Sequence, residues 1–293
     1  MYRGLDVGTG KVTKEERRGV PHHLLDIVEP DQGFTAGDFA RQASRVLDSL
    51  RRRERLPILV GGTGLYLRAL LLGLFEGPPR SAELRDRLGE IAARRGREFL
   101  HRMLKKFDSP SADRIQPRDT QKIIRALEVR RLAGRPISEM HESSRKGLVG
   151  FRAFKIGLNP DRGELNHRIN ARVERMFRSG LVEEAAAVLA RCSGDPGKAE
   201  SVAPLGALGY RQACAVLAGE VSREEGIRRA QAATRRYAKR QMTWFRRENE
   251  VRWFAGFGND PEIQRRVVEW LKGAMDFPAG TQPQAVRSPQ LKG

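Results

Sequence analysis

A strand, a glycine-rich turn and a helix follow one another between residues 56 and 74, and this order constrains the fold more than any other feature of the sequence. LPILV (56–60) predicts a fully buried strand, Gly61–Gly64 predicts a tight turn, and LYLRALLLGL predicts a helix. Such units belong to α/β folds, in which helices cross over between parallel strands. The segment therefore favours an α/β fold with a parallel sheet.

Similar units lie on both sides of this segment. HHLLDIV (22–28) predicts a short strand, and residues 34–53 predict a helix with apolar side chains at helical spacing. FRAFKIGLN (151–159) and VRWFAG (251–256) predict two further strands, each of which precedes a helical run. The repeated order supports a parallel sheet with crossover helices.

Between these two groups of strands, the pattern becomes helical. Residues 76–79 predict a linker, and residues 81–135 predict Arg-rich helices. We therefore predict an α/β core formed by residues 1–76 and 151–272, with a helical insertion domain at 77–150. The Pro-containing polar composition of residues 273–293 predicts a disordered tail.

The charge balance indicates the class of partner. The chain has 55 Lys and Arg against 36 Asp and Glu, and its net charge of +19 is typical of proteins that bind a polyanion such as nucleic acid. The two cysteines exclude a disulfide framework and a Cys-rich zinc site. His22 and His23 have no second cluster of ligand-type residues, so we predict no metal-binding residues. With no long apolar run and no signal-peptide pattern, we expect a cytoplasmic protein without a membrane contact.

Two glycine-rich segments are candidates for anion binding. GLDVGTGKVT (4–13) suggests a phosphate loop, but that signature needs Ser or Thr after the lysine, and Val12 stands there. A small-molecule kinase, which rests on this segment alone, is therefore only an alternative. The amides of Gly62, Thr63 and Gly64 precede a helix, where anions bind, but an ordinary strand-to-helix turn explains them as well.

The predicted helix from about Glu224 to Arg247 carries a cationic stripe. Its basic residues recur at spacings of seven and four, and a Tyr and a Trp lie on the adjoining face. Such a stripe suits contact with a phosphate backbone, with aromatic rings available to stack. A solvated basic face is the alternative. The stripe consists of Arg228, Arg235, Lys239 and Arg246.

Two arginines on another predicted helix are candidates for binding a diphosphate. Arg168 and Arg172 are four residues apart and share one helix face, as a diphosphate clamp requires. Ion pairs with Glu164 or Glu174 on the same helix are the alternative.

RIQPRDTQKIIRALEV (114–129) predicts a helix that Asp119 caps. Its isoleucines lie on the inner side, whereas Gln121, Lys122 and Arg125 lie on the exposed side.

Taken together, eight segments resemble the bacterial tRNA dimethylallyltransferase family. They occur in the family's order and cover roughly residues 2–254. The segments are YRGLDVGTGK, GVPHHLLDIVEP, FTAGDFARQA, LPILVGGTGLYLRALLLGL, RIQPRDTQKIIRALEV, LNPDRGELNHRINARVERMFRSGLVEEA, ALGYRQ and TRRYAKRQMTWFRR.

The resemblance implies a tRNA-modifying enzyme. It implies transfer of a dimethylallyl group from dimethylallyl diphosphate to N6 of the adenosine 3′ of the anticodon (position 37), with Mg²⁺. It also implies a P-loop nucleoside-kinase-like sheet with a helical insertion that grips the anticodon stem. The expected product is N6-isopentenyladenosine, and we expect the protein to act as a monomer.

The resemblance also implies site residues. Thr63 and Arg85 are expected to flank the reaction channel and to contact the tRNA. Arg168 and Arg172 remain our own candidates for diphosphate contact, from their spacing and position. The residues expected to bind tRNA are Gln121, Lys122, Ile123, Ile124, Arg125, Gly206, Tyr210, Arg211, Arg235, Lys239, Arg240, Trp244 and Arg246.

One departure from the family pattern affects the expected catalysis. Family members carry a first strand, a phosphate loop ending in Gly-Lys-Thr/Ser, and an Asp-Ser-x-Gln run just before the position of Tyr2, and the sequence from Met1 onward shows none of them. That Asp is the family's general base. We therefore expect either a transferase whose start was assigned too late or a catalytically inactive tRNA-binding remnant.

Overall fold

The computed structural model describes residues 1–75, 77–143, 147–192 and 202–275. These residues form two compact units. Residues 1–35, 56–64 and those from Arg152 onward form one, which we call the sheet unit, and residues 36–55 and 65–151 form the other, the helical unit. Unlike the predicted insertion at 77–150, the helical unit also contains the helix after residue 35 and most of the helix that begins at Gly64.

The described residues contain twelve α-helices, two strands and a 3₁₀ turn. The helices predicted from the sequence are confirmed throughout the described ranges. In chain order the elements are α1 (Ala36–Arg52), α2 (Gly64–Leu72), α3 (Ala82–Arg95), α4 (Arg97–Phe107), α5 (Ser109–Arg114), α6 (Thr120–Ala133), α7 (Ile137–Ser143), β1 (Lys155–Leu158), α8 (Arg162–Arg178), α9 (Leu181–Cys192), a 3₁₀ turn (Ala203–Gly206), α10 (Tyr210–Leu217), α11 (Arg223–Phe245), β2 (Val251–Phe254) and α12 (Pro261–Met275).

The sheet of the sheet unit is small and parallel. Lys155 of β1 lies opposite Val251 of β2, and Leu158 lies opposite Phe254. Both strands fall inside the segments predicted at 151–159 and 251–256, so these two predictions are confirmed. The fold is therefore a mixed, largely helical one with a two-stranded parallel sheet among the described residues.

The other two strand predictions are wrong. LPILV (56–60) forms no strand, and its Ile58 and Val60 side chains are 82% and 87% exposed. Residues 22–28 contribute one isolated bridge, between Val28 and Tyr2. Leu24 has a φ of 61°, which a strand cannot contain. A strand exists only where a neighbour accepts its backbone hydrogen bonds, and in the described part of the chain no strand lies beside residues 56–60.

The core of the sheet unit lies among α8, α9, α10 and α11. Phe177, at the end of α8, and Leu181, at the start of α9, are fully buried, as is Leu5 from the N-terminal segment. On α9, buried side chains recur at Leu181, Ala185 and Val188, which is helical spacing. Helix packing, more than the sheet, therefore supplies the apolar interior of this unit.

The helical unit has its own core, formed by α3, α4, α6 and α7. Leu100 and Leu104, one turn apart on α4, are fully buried, and so is Ile123 of α6. Asp119 stands at the N-terminus of α6 as predicted, but its side chain makes no capping hydrogen bond and pairs with Lys122 instead.

The first three residues of the predicted tail are helical. Residues 273–275 are the last residues of α12, and the rest of the predicted tail lies outside the described residues. None of the helices that the structure describes has both the length and the apolar character to cross a membrane.

Asp108 joins two helices of the helical unit. Its carboxylate, in a residue 2% exposed, accepts hydrogen bonds from the backbone N–H (3.0 Å) and hydroxyl (2.8 Å) of Ser111 and from the backbone N–H of Ser138 (3.1 Å). Burial raises the pKa of this carboxyl, but the hydrogen bonds from Ser138 and Ser111 outweigh burial and hold the pKa below its ordinary value. The ionised form therefore stabilises the starts of α5 and α7.

We expect Asp108→Ala to lower the free energy of unfolding by about 2 kcal/mol at pH 7, because three buried donors lose their acceptor. The folded-state pKa is depressed, so the contribution is complete above the unfolded-state value of about 4 and is lost as pH falls through the folded-state pKa. Urea unfolding followed from pH 7 to pH 3 measures it. Asp113→Ala, at an exposed site on the same helix, is the control, and equal losses in both variants would contradict this role for Asp108.

Candidate nucleic-acid interface

The turn at Gly61–Gly64 lies against α11 in the sheet unit. The side-chain amide of Gln241 donates a hydrogen bond to the carbonyl of Gly62 at 3.0 Å. A Cβ atom added at Gly64 would overlap with the Trp244 ring, so a glycine is required there for close approach. Thr63 is exposed between these two contacts. The contacts show a packing role for the glycines and leave the anion-binding prediction for this turn untested.

The C-terminal part of α11 carries unpaired positive charge. Lys239, Arg240, Arg246 and Arg247 are exposed, and no carboxylate within the described ranges forms an ion pair with any of them. We call these four residues the α11 basic surface. Lys239, Arg240 and Arg247, together with Thr243 and Trp244, line a shallow open concavity of about 280 Å³. Positive charge and an aromatic ring thus meet on one helix face.

The N-terminal part of the same helix is different. Glu225 pairs with Arg228 at 2.7 Å and with Arg229 at 2.7 Å. Further along, Arg235 donates a hydrogen bond to the side-chain oxygen of Asn170 at 2.5 Å, so a neutral group holds it. The predicted stripe therefore divides into a part that the protein neutralises itself and a part that remains available to an anion.

Gly206 and Arg211, two predicted RNA contacts, are exposed at the end of the 3₁₀ turn and in the first turn of α10. Tyr210 between them is 1% exposed, and its hydroxyl donates to Glu184 at 2.5 Å. Burial, and then this hydrogen bond, raise the pKa of the Tyr210 phenol far above its ordinary value. The prediction of RNA contact by the Tyr210 side chain is corrected, because that side chain belongs to the core.

Glu184 also binds the backbone of the glycine-rich segment at residues 4–13. Its carboxylate accepts hydrogen bonds from the backbone N–H groups of Asp6 (2.6 Å), Val7 (2.8 Å) and Gly8 (3.0 Å). Successive amides of this kind bind anions, and here the protein's own carboxylate fills the position. Nothing in this arrangement favours a nucleotide at the segment.

Arg168 and Arg172 each have a neutral partner. The Arg168 guanidinium lies 3.6 Å from the centre of the Phe257 ring and donates to the side-chain oxygen of Asn259 at 2.9 Å. Arg172 donates to the carbonyl of Thr9 at 3.2 Å. Within the part of the chain that the structure describes, neither pairs with a carboxylate, so the alternative of ion pairs with Glu164 or Glu174 is wrong. Diphosphate contact stays a prediction.

In the helical unit, a buried carboxylate joins several predicted RNA-binding residues. Glu128 of α6 is fully buried and accepts from Arg125 at 2.7 Å, from Arg85 of α3 at 3.4 Å, and from the backbone N–H of Ser81 at 2.8 Å. Arg85 also donates to the side-chain oxygen of Gln121 at 2.8 Å. These residues form what we call the Glu128 cluster.

The other predicted RNA-binding residues between 121 and 125 differ in how far they are buried. Lys122 is exposed and paired with Asp119, whereas Ile123 and Ile124 are 0% and 4% exposed and pack in the core. The prediction of RNA contact is therefore corrected for the two isoleucine side chains, which have a packing role. Thr63 belongs to the sheet unit, and Arg85 belongs to the helical unit.

The described residues do not provide a ready magnesium site. They contain no group of three or more His, Cys, Asp or Glu side chains that could hold a metal ion. Asp6 and Asp26 both pair with Lys11. Because Mg²⁺ is commonly held by one or two carboxylates together with substrate phosphates, the Mg²⁺ expected from the resemblance stays a prediction.

A comparison with known protein families shows to which family the chain belongs. The family model described as IPP transferase matches residues 1–248. The chain belongs to the IPP transferase family. The resemblance found in the sequence and the expected enzyme class are thereby confirmed.

Relatives and solved structures of the IPP transferase family align with most of the chain. A tRNA dimethylallyltransferase of Koribacter versatilis is 50% identical over 272 residues, which are 93% of this chain and 87% of the relative. One of Solibacter usitatus is 49% identical over 92% of this chain and 86% of the relative.

Among solved structures, the full-length tRNA isopentenylpyrophosphate transferase from Bacillus halodurans is 35% identical, with a TM-score of 0.59, and the match covers 93% of this chain and 84% of the other. A eukaryotic dimethylallyltransferase acting on tRNA has a TM-score of 0.76 at 21% identity, over 96% of this chain and 72% of that one, and supports the fold alone.

Three residues that organise these family segments were not identified from the sequence. Glu128 follows Ile124 by four residues, so helical spacing already placed its charge on the inner side of α6, and this signal was available. Glu184 and Gln241 act on segments far away in the sequence, and no local pattern indicates such contacts.

We expect Gly64→Ala to destabilise the sheet unit by about 1–3 kcal/mol, because the new methyl group overlaps with the Trp244 ring and the helix must shift. Trp fluorescence should change at the same time, as Trp244 is displaced. Thermal unfolding and the emission spectrum measure both effects. Gly61→Ala is the matched control, since open space surrounds that position; if the two variants behaved alike, the docking of this turn on Trp244 would be wrong.

Proposed function

We propose that this protein transfers a dimethylallyl group from dimethylallyl diphosphate to N6 of the adenosine 3′ of a tRNA anticodon (position 37), which gives N6-isopentenyladenosine. Membership of the IPP transferase family supports this, as do the relatives named tRNA dimethylallyltransferase. The structural observation that carries the proposal is the docking of the Thr63 turn on a helix that presents unpaired cations and Trp244.

The α11 basic surface is suited to a phosphate backbone. When RNA binds to cations that lack a carboxylate partner, no ion pair within the protein has to be broken. Each phosphate contact that these cations make therefore contributes fully to counterion release. Trp244 provides an aromatic face beside them, on which a base can stack. Arg235, oriented by a neutral amide, extends the same face.

The reaction needs a site for the leaving group. The bond between C1 of the dimethylallyl group and the diphosphate oxygen breaks with its electron pair on diphosphate, N6 forms the new bond to C1, and one N6 proton is released. Arg168 and Arg172 are our candidates for holding the diphosphate, because neutral partners orient their guanidinium groups without cancelling the charge. None of the residues discussed is proposed to accept the N6 proton.

We propose that the parallel pair β1 and β2 with its helices belongs to a P-loop nucleoside-kinase-like sheet, and that the protein acts as a cytoplasmic monomer. The helical unit would then be the part that binds the anticodon stem.

Prenyl transfer tests the proposal directly. The full chain is incubated with labelled dimethylallyl diphosphate and a tRNA that carries adenosine at position 37, and the label should appear in N6-isopentenyladenosine after digestion. A guanosine at position 37 is the negative control. RNA binding without any transfer would instead favour the tRNA-binding remnant, and absence of both would overturn the proposal.

We expect Lys239→Ala/Arg240→Ala to weaken tRNA binding and to reduce the slope of log K against log salt concentration by about 1.5–2, because two phosphate contacts are lost. Arg228→Ala/Arg229→Ala removes the same charge from the same helix, but from residues already paired with Glu225. We expect a clearly smaller change of slope in this control. Equal changes in the two double variants would show that only total charge matters.

A further inference from the structure

Glu128 of α6 carries a carboxylate in the core of the helical unit, where the desolvation of a charge is unfavourable. It is fully buried, and an ionised carboxylate in such a place is stable only when it is paired and hydrogen-bonded. Its oxygens are satisfied by Arg125, Arg85 and the backbone N–H of Ser81, which precedes α3. The carboxylate thus links α6 to the start of α3, where Arg85 lies in the first turns.

The two arginines of the Glu128 cluster outnumber its one carboxylate. Their side chains are 22% and 27% exposed, so each arginine is partly accessible to solvent while its guanidinium contacts Glu128. With one carboxylate shared between two guanidinium groups, one unit of positive charge remains uncompensated at this surface. A phosphate approaching from solvent would meet that excess.

Each guanidinium is also held at a second point by a neutral group. Arg125 donates to the carbonyl of Pro78 at 3.0 Å, and Arg85 donates to the side-chain oxygen of Gln121 at 2.8 Å. Two fixed contacts leave a long side chain little rotamer freedom, so little conformational entropy remains to be lost when a ligand binds. The cluster is therefore organised before any RNA arrives.

We propose that Glu128 is a positioning residue, which holds Arg85 and Arg125 in the orientation that binds RNA phosphate. This rests on the proposed function, in which the helical unit that contains both arginines binds the anticodon stem. Glu128 itself stays buried behind them and touches no substrate. A purely structural ion pair, which would stabilise the helical unit without affecting RNA binding, is the alternative that the experiment must separate.

The direction in which Glu128→Gln changes RNA affinity distinguishes a positioning role from a change of net charge. Glu128→Gln removes a negative charge, so long-range electrostatics alone would strengthen the binding of RNA. Loss of positioning would weaken it, because glutamine has one acceptor oxygen instead of two and no charge. It cannot serve the Ser81 N–H and both guanidinium groups as the carboxylate does, so the arginines gain rotamer freedom. We expect about tenfold weaker binding of an anticodon stem-loop RNA, from hydrogen bonds to charged groups that are no longer preorganised.

Glu90→Gln is the matched control. Glu90 lies exposed on α3, and its substitution changes the net charge by the same amount. We expect its affinity to be equal to that of the wild type or slightly higher. Binding is measured well below the melting temperature of each variant, so that only folded protein is compared, and the slope against salt concentration should fall for Glu128→Gln alone.

A double-mutant cycle completes the test. In an Arg85→Ala/Arg125→Ala background, Glu128→Gln should have no further effect on affinity, since nothing remains to be positioned. If the arginine double variant binds RNA as well as the wild type, the proposed RNA contact itself fails. If that variant binds weakly but Glu128→Gln binds normally, the RNA contact stands and the positioning role is overturned.

Arg85→Lys covers the case in which Glu128→Gln does not fold. It keeps the charge on a partly exposed side chain, but a lysine lacks the planar fork that reaches Glu128 and Gln121 together. We expect at least fivefold weaker RNA binding, because hydrogen bonds to the buried carboxylate and to Gln121 are no longer made together. Wild-type affinity and salt slope in Arg85→Lys would overturn the positioning role.

Discussion

The hydrogen bonds that carboxylates accept from backbone N–H groups hold together segments that neither a strand ladder nor a helix supports. Glu184 binds three successive amides at residues 6–8 while it accepts the Tyr210 hydroxyl, so one side chain fixes the N-terminal segment to α9 and α10. Glu128 and Asp108 do the same at Ser81 and Ser138 in the helical unit. A buried backbone N–H group that lacks an acceptor is energetically costly. The described residues contain a sheet of two strands, so N–H groups outside the sheet and the helices depend on side-chain acceptors of this kind.

The position of the carboxylates also determines where positive charge remains. On α11, Glu224 and Glu225 stand in the first turn, where the helix dipole favours anions, and Glu225 neutralises two arginines there. Lys239 and Arg240 in the C-terminal half of the helix, and Arg246 and Arg247 just after it, have no carboxylate partner among the described residues. The same arrangement therefore stabilises the helix and leaves the α11 basic surface available to a polyanion. A net charge of +19 thus produces a defined surface as well as a general attraction.

Helices were predictable because their pattern is local, whereas strands were predictable only in part. Residues 155–158 and 251–254 pair with each other, but LPILV has the same apolar character and no partner strand in the described ranges. An apolar run shows that a segment could pair, and only the rest of the fold shows whether it does. Among the site residues, the exposed cations of α11 could be read from spacing, and so could the inward side of Ile123 and Ile124. The contacts of Glu184 with residues 6–8 could not, since they join positions more than 170 residues apart.

Trp244 couples two features that the sequence presents as separate motifs. Its ring packs on Gly64 at the start of α2, while the same residue lines the concavity beside Lys239, Arg240 and Arg247. Gln241, three residues earlier, holds the carbonyl of Gly62. A ligand that moves this part of α11 must therefore also move the turn that carries Thr63, because close-packed contacts transmit displacement instead of absorbing it. The glycines of the turn are thus required by the ring they contact, and the turn and the cationic helix face act as one surface.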